Sequence, residues 1–374
     1  MKMSRSDKWI CRLFILFLAL MPLLFWLLPK QSFSAREKRY LAPAPTLSRE
    51  ELVSGRFGEE AEAWAADHLP GRDALVGLDA LYELAAGRQT VRSVYLCRDG
   101  RLCEAPTAFD KTVLARNLEA LNVFAAASPV PVDLMLVPSA GFWLDGMLPA
   151  LAEPYPDGAI LDAVFDAAGE NLVPVDLRPV FVAAKDPGAL YYRTDHHWTA
   201  EGAYRAAAHY LAGLGRALPD SADYAVTEVP DFRGTAWSRA ALWFLPGETL
   251  ALWDSGGDFT VENREAPGAH AGLFYPEHLS AEDKYPVYLD GNHSLVRIRS
   301  EAPGAQGRLL VIRDSFASCF GCFLADAFEE LVLVDLRYYR SPVSELLAAE
   351  DFERVLVLFS VGNFMTDSNI VRLS

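Results

Sequence analysis

The sequence predicts an α/β domain built on a mainly parallel sheet with helices on both faces. Three observations predict it. Five short runs are almost continuously apolar: 132–138, 172–177, 308–313, 331–336 and 354–359. Strands buried on both faces read this way, whereas half-exposed strands alternate apolar and polar residues. Segments with helical spacing fill most of the intervals, which is the alternation of a parallel sheet. Polar residues then gather just past the ends of these runs, where an open parallel sheet keeps its function.

Composition agrees. The 374 residues are 51% apolar and 11% aromatic, enough for a large core and incompatible with wholesale disorder. The net charge of −16 excludes nucleic acid or another polyanion as the main partner, because phosphate binding needs a basic surface. A neutral sugar substrate is untouched by that argument.

The first element is a targeting segment. Lys2, Arg5, Lys8 and Arg12 precede an unbroken apolar run from Leu13 to Leu28. Extended back to Trp9, with Arg12 reaching to the headgroups, the run suits a bilayer core of roughly 30 Å. Two readings fit. One is an uncleaved signal-anchor over residues 1–30, giving a single-pass protein of the cell membrane. The other is a signal peptide cleaved near Ser32-Phe33-Ser34, giving a secreted protein. Both keep the positive charges inside and export everything after about residue 35. Residues 31–50, with EKRYLAPAPTLSREE, read as a Pro-rich linker, and 51–374 as the domain.

Along that domain, FGEEAEAWAADHLPGRDALVGLDALYELAAG has helical spacing broken at Pro70-Gly71. TVRSVYLCRDGRLCEA reads as a hairpin around Asp99-Gly100. Cys97 and Cys103 flank that turn, so a disulfide and a pair of free thiols both fit. Cys319 and Cys322 have redox or zinc spacing without a second pair, and sit in an apolar stretch as small core residues. After the second strand, Thr199 caps a helix that Gly215 stops. From about 220 to 300 the rhythm is lost among Pro, Gly and aromatic residues, and this region reads as an insertion of loops and short strands. A helix is expected from Phe316 to Glu329.

The strand ends give the candidate site. Ser315 sits where a strand hands over to a helix, the position a nucleophile needs, with helix amides to hold an oxyanion. Asp195 and His197, in YYRTDHHWTAEGAY, lie beyond another strand end. A serine hydroxyl is a weak nucleophile until a base takes its proton, and a histidine is a good base when a carboxylate orients it. Asp195, His197 and Ser315 therefore read as a triad. A metal site of Asp195, His196 and His197 with His209 is set aside, because His197 and His209 are 12 residues apart across a helix start with no further ligand between them; His196 reads as a supporting residue. Trp237, Trp243, Phe232 and Tyr285 in the insertion fit either a sugar-stacking surface or its core.

DHHWT followed by GAY, then DKYPVYLDGNH, RDSFA and VDLRYY, resemble the DHHW protein family over roughly residues 40–372. That family belongs with the SGNH hydrolase-like proteins of alginate and other exopolysaccharide O-acetylation. The resemblance implies an SGNH-like, flavodoxin-like sheet with its blocks in circularly permuted order, since the Asp-x-His block precedes the serine block. It implies Ser315, His197 and Asp195 as catalytic residues. Asn363 in VGNF or Asn292 in DGNH would serve the oxyanion, and Arg313 and Arg337 the substrate. Arg313 stands where the hydrolases carry a glycine before the Asp-Ser pair. The implied activity is O-acetyl transfer to, or ester hydrolysis on, a cell-surface or exported polysaccharide. It needs neither cofactor nor metal. A membrane-bound O-acyltransferase would be the partner that supplies acyl groups. A catalytically silent module that binds polysaccharide or that acyltransferase is the competing class of function.

Overall fold

The computed structural model describes residues 4–373. The described residues fall into two compact units, one taking in 4–88 together with 238–243, the other 89–237 and 244–373. The helices over 49–85, which the sequence places at the start of the main domain, group with the first unit.

In the first unit, a helix runs from Arg5 to Leu27. It is long and apolar enough to cross a membrane, and most of its large side chains are exposed. Ser4 caps it, accepting from the Asp7 N–H. Helices Arg56–Asp67 and Arg72–Ala85 are separated at Pro70-Gly71, as the sequence predicts.

The second unit is built on one eight-stranded sheet. Its strands are β1 (Val132–Val137), β2 (Leu172–Val175), β3 (Phe259–Asn263), β4 (Ala269–Ala271), β5 (Leu295–Ser300), β6 (Arg308–Arg313), β7 (Glu330–Val334) and β8 (Arg354–Ser360). Their order across the sheet is β4-β3-β5-β7-β6-β8-β1-β2. The five apolar runs are β1, β2, β6, β7 and β8, and they pair in parallel as one block. Counted cyclically from β6, that block runs 2-1-3-4-5, the flavodoxin-like order in permuted form.

The region read as an insertion does more than loop out. Three of its strands, β3, β4 and β5, extend the sheet antiparallel beyond β7, while Ala225–Phe232 and Glu248–Asp254 form a separate hairpin. β3 and β5 alternate buried and part-exposed residues, the pattern of strands covered on one face only.

Alternate residues of the central strands enter two different cores. Met135, Val137, Leu309, Val311, Leu356 and Leu358 pack with helices Ala200–Gly213 and Ala317–Leu324 on one face. Leu134, Leu136, Leu310, Ile312, Val355 and Val357 pack with helices Lys111–Ala127 and Asp157–Ala167 on the other. Each such side chain stabilises the fold by about 1.5–3 kcal/mol relative to exposure. The helix after Ser315 ends at Leu324, short of the expected Glu329. Asp326 leaves it to accept from the Tyr224 and Ser255 hydroxyls, which turns the chain into β7.

Candidate active site

The stretch before the motif folds back on itself. Tyr191 and Trp198 pair across it, the Tyr192 N–H donates to the His197 carbonyl, and the Thr199 N–H donates to the Leu190 carbonyl. Thr199 caps the following helix through the Gly202 N–H. Glu248, from the neighbouring hairpin, accepts from the N–H groups of Arg193 and Thr194 and from the Thr194 hydroxyl.

Inside this excursion Asp195 and His197 meet. Asp195 Oδ1 lies 2.5 Å from His197 Nδ1 and also accepts the His197 backbone N–H at 2.9 Å. Its other oxygen accepts the Thr235 N–H at 2.5 Å. Gly234 makes that approach possible: a Cβ there would stand 2.1 Å from the Asp195 Cβ. His197 Nε2 then faces the Ser315 hydroxyl at 2.8 Å, across 118 residues of sequence. Asp195 and His197 are buried and Ser315 is half-buried. Burial, helped by His196, holds the His197 pKa below its usual 6.5, against the pull of Asp195.

Ser315 follows β6, between β6 and β8, where the strand order reverses in the cyclic count. Asp314 fixes this elbow. It accepts from the Phe316 N–H, the Ser360 N–H and Asn363 Nδ2, at 3.0, 2.8 and 2.7 Å. Asn363 therefore points at Asp314. The Ser315 N–H donates to no group among the described residues.

The other predicted residues separate into two kinds. Arg313 is 1% exposed and cannot face a substrate. Its guanidinium donates to Asn292 Oδ1, Ser318 Oγ and the Gly291 carbonyl, and burial lowers its pKa. Asn292 itself is exposed, and its side-chain oxygen accepts from Arg313. A sharp turn presents it: Leu289, Asp290 and Gly291 all run through left-handed backbone, at φ 57°, 63° and 82°. Arg337 grips buried Asp335 through Nε and Nη2 and is partly exposed at the end of β7.

Several roles escaped the sequence reading. Tyr285 stacks on His197 with ring centroids 4.0 Å apart. Phe232, Trp237 and Tyr285 are buried, so they belong to the core and offer no exposed stacking face. Trp198, fully buried, donates from its indole to the carbonyl of Phe316, tying the histidine block to the serine block. Asp314 and Gly234 stood in plain view in the sequence, but nothing local marked their partners. His196 is partly exposed, 3.7 Å from Glu104 and from Asp195. Ligand-type atoms of Asp195, His196 and His197 lie within 4.8 Å of one another. A metal there would have to displace the bonds His197 makes to Asp195 and Ser315.

With this geometry in view, the chain is matched by two family models: an SGNH hydrolase-like domain of acetyltransferase AlgX over residues 118–232, and DHHW protein over 181–334. No curated protein sequence matches it. Among solved structures, it is similar to a DHHW family protein from Eubacterium siraeum, with 20% identity and a TM-score of 0.64 over 75% of this chain and 95% of that one. It is also similar to Bacillus cereus PatB1 carrying a sulfonyl adduct, with 21% identity and a TM-score of 0.63 over 75% and 98%. At these identities the likeness establishes the fold, and the resemblance carried by the motifs stands.

Proposed function

We propose that this SGNH-like, DHHW-type chain is an exported serine acyltransferase or esterase that works on O-acetyl groups of a cell-surface or exported polysaccharide. The observation that carries the reading is the run of hydrogen bonds from Asp195 through His197 to Ser315 at the sheet's switch point. In this reading residues 1–30 anchor the chain, 31–50 link it to the membrane, and 51–374 carry the activity. A membrane-bound O-acyltransferase is the source of acyl groups.

Ser315 attacks the acyl carbonyl as its proton passes to His197 Nε2, and Asp195 steadies the imidazolium through Nδ1. The oxyanion meets the Ser315 N–H and Asn292 Nδ2, which Arg313 orients from behind. As the donor's bond to the acyl carbon breaks, His197 returns the proton to the leaving group. An acyl ester of Ser315 remains. A sugar hydroxyl, deprotonated by His197, then takes the acyl group; water taking it gives hydrolysis.

The test uses a chromogenic acetyl ester and an arylsulfonyl fluoride, a probe matched to an activated serine. The sulfonyl adduct of the similar PatB1 is consistent with that choice. Wild-type protein is expected to turn over the ester and to be labelled on Ser315. Ser315→Ala, His197→Ala and Asp195→Asn should each lower turnover by several orders of magnitude, and His196→Ala far less. A folded chain that neither turns over ester nor takes the label is instead a silent binding module. Ser315→Ala at wild-type rate, with His196→Ala inactive, would bring the metal reading forward.

A further inference from the structure

We propose that Cys97 and Cys103 form a disulfide once the domain is exported, and that this bond locks the hairpin that grips the Asp195–His197 loop. The inference rests on the export reading given above. It does not depend on the triad being catalytic.

The two thiols are free in the structure, buried, and 3.3 Å apart. Cys97 directly follows the strand Val94–Leu96, and Cys103 lies in the neighbouring strand Leu102–Glu104. Tyr95 stands opposite Cys103, and the Cys97 N–H donates to the Arg101 carbonyl. A disulfide needs the sulfurs at about 2 Å, so closing it takes a shift of roughly 1 Å, within reach of side-chain rotation at a hairpin end. The neighbouring Cys103 thiol holds the Cys97 pKa below its ordinary value, which favours the Cys97 thiolate. Cys97, as thiolate, attacks the disulfide of an exported thiol oxidoreductase and forms a mixed disulfide with it. Cys103 then loses its proton and displaces the oxidoreductase sulfur. One S–S bond forms within the hairpin, and the oxidant leaves as two thiols, having taken up two electrons and two protons. Exported compartments keep such bonds oxidised.

The tip between the cysteines makes the bond matter. Arg101 is 6% exposed, and its guanidinium donates to the carbonyls of Gly188, Tyr191 and Tyr192. The Leu102 N–H donates to the Arg193 carbonyl at 2.7 Å. Four carbonyls leading up to Asp195 are therefore held by two consecutive residues of a short hairpin. Such a hairpin is marginally stable by itself, and its two strands have only three residues each, flanked by a third strand of two. A covalent tie at its base removes the open conformations in which Arg101 lets go.

The full chain is expressed for export, and a cytoplasmic sample is treated with oxidised glutathione in parallel. Mass spectrometry of both should find Cys97 and Cys103 joined, the protein lighter by two hydrogens. Cys319 and Cys322, buried in helix Ala317–Leu324, should be alkylated after unfolding. Reduction should raise amide hydrogen exchange several-fold over residues 188–197. In the Cys97→Ser, Cys103→Ser variant the exchange should be fast and indifferent to reductant. Cys103→Ala alone serves if the double variant does not fold. Free, alkylatable Cys97 and Cys103 in both oxidised samples overturn the proposal. So does a bond that forms and leaves exchange over 188–197 unchanged. Neither readout involves turnover, so failure here is separable from failure of the triad.

Discussion

Tyr285 lies flat on the imidazole of His197, with ring centroids 4.0 Å apart and planes 10° from parallel. Phe316 closes in at 4.9 Å, so the imidazole is clamped between aromatic rings as well as tied to Asp195. The Tyr285 hydroxyl is buried and has no hydrogen-bond partner among the described residues. Its ring, not its hydroxyl, is what the site uses. Tyr285→Phe should therefore keep activity within a few-fold and leave stability unchanged or raise it by about 1 kcal/mol, since an unsatisfied buried polar group is removed. Tyr285→Ala should cost about 3–5 kcal/mol through its cavity and lower kcat as the imidazole gains freedom. Thermal melts and ester turnover on the two variants separate these outcomes. Equal activity losses in both would assign the function to the hydroxyl instead.

The pH profile should be displaced toward acid. Burial lowers the His197 pKa below 6.5, and a general base must be neutral. The acid limb of kcat/KM should therefore fall below pH 6.5. Asp195 is the influence that raises the value, so Asp195→Asn should move the limb further down while cutting the rate. Stability follows the same linkage. The unfolded chain binds this proton more readily than the folded one, so stability is lost as pH falls from 6.5 through the folded value, and His197 contributes no slope above 6.5. An acid limb centred above pH 7 would contradict the burial argument.

Asn292 and Asn363 should fail differently. Asn292 is exposed and held only through its oxygen, so Asn292→Ala should lower kcat by about 10–1,000-fold, as loss of one oxyanion donor does, with little change in melting temperature. Asn363 donates to Asp314, whose carboxylate bridges the ends of β6 and β8. Asn363→Ala should destabilise the domain by about 1–3 kcal/mol because a buried carboxylate loses a donor. Kinetics and melts on the same pair decide it, and a purely kinetic loss in Asn363→Ala would reverse the roles.

The apolar helix Arg5–Leu27 should hold the chain in the membrane. Full-length protein is expected in the membrane fraction, resisting high-salt and carbonate washes and released by detergent. Removal of residues 1–30 should give a soluble protein that retains ester turnover. Full-length protein recovered in the soluble fraction at its uncleaved mass would rule out the anchor.

What the sequence determined by itself was the part governed by short-range pattern. β1, β6, β7 and β8 were legible because strands buried on both faces must be apolar at nearly every position, and the part-exposed edge strand β2 because its own short run is apolar. The break at Pro70-Gly71 and the Thr199 cap were legible because backbone chemistry decides them within a few residues. Ser315, His197 and Asp195 stood out as strand-end polar groups in a recognisable order. Tertiary structure decided what depends on distant partners. β3 and β5 have an alternating pattern amid turns, and only the pairing of β5 against β7, and of β3 against β5, made them strands of the same sheet. The stacking of Tyr285 on His197, the grip of Asp314 on Asn363 and the approach of Gly234 to Asp195 join residues far apart in the chain. Periodicity reports which side of an element is apolar. Which side chain lies across from it is set by sheet order and register, and those emerge only when the whole core is packed.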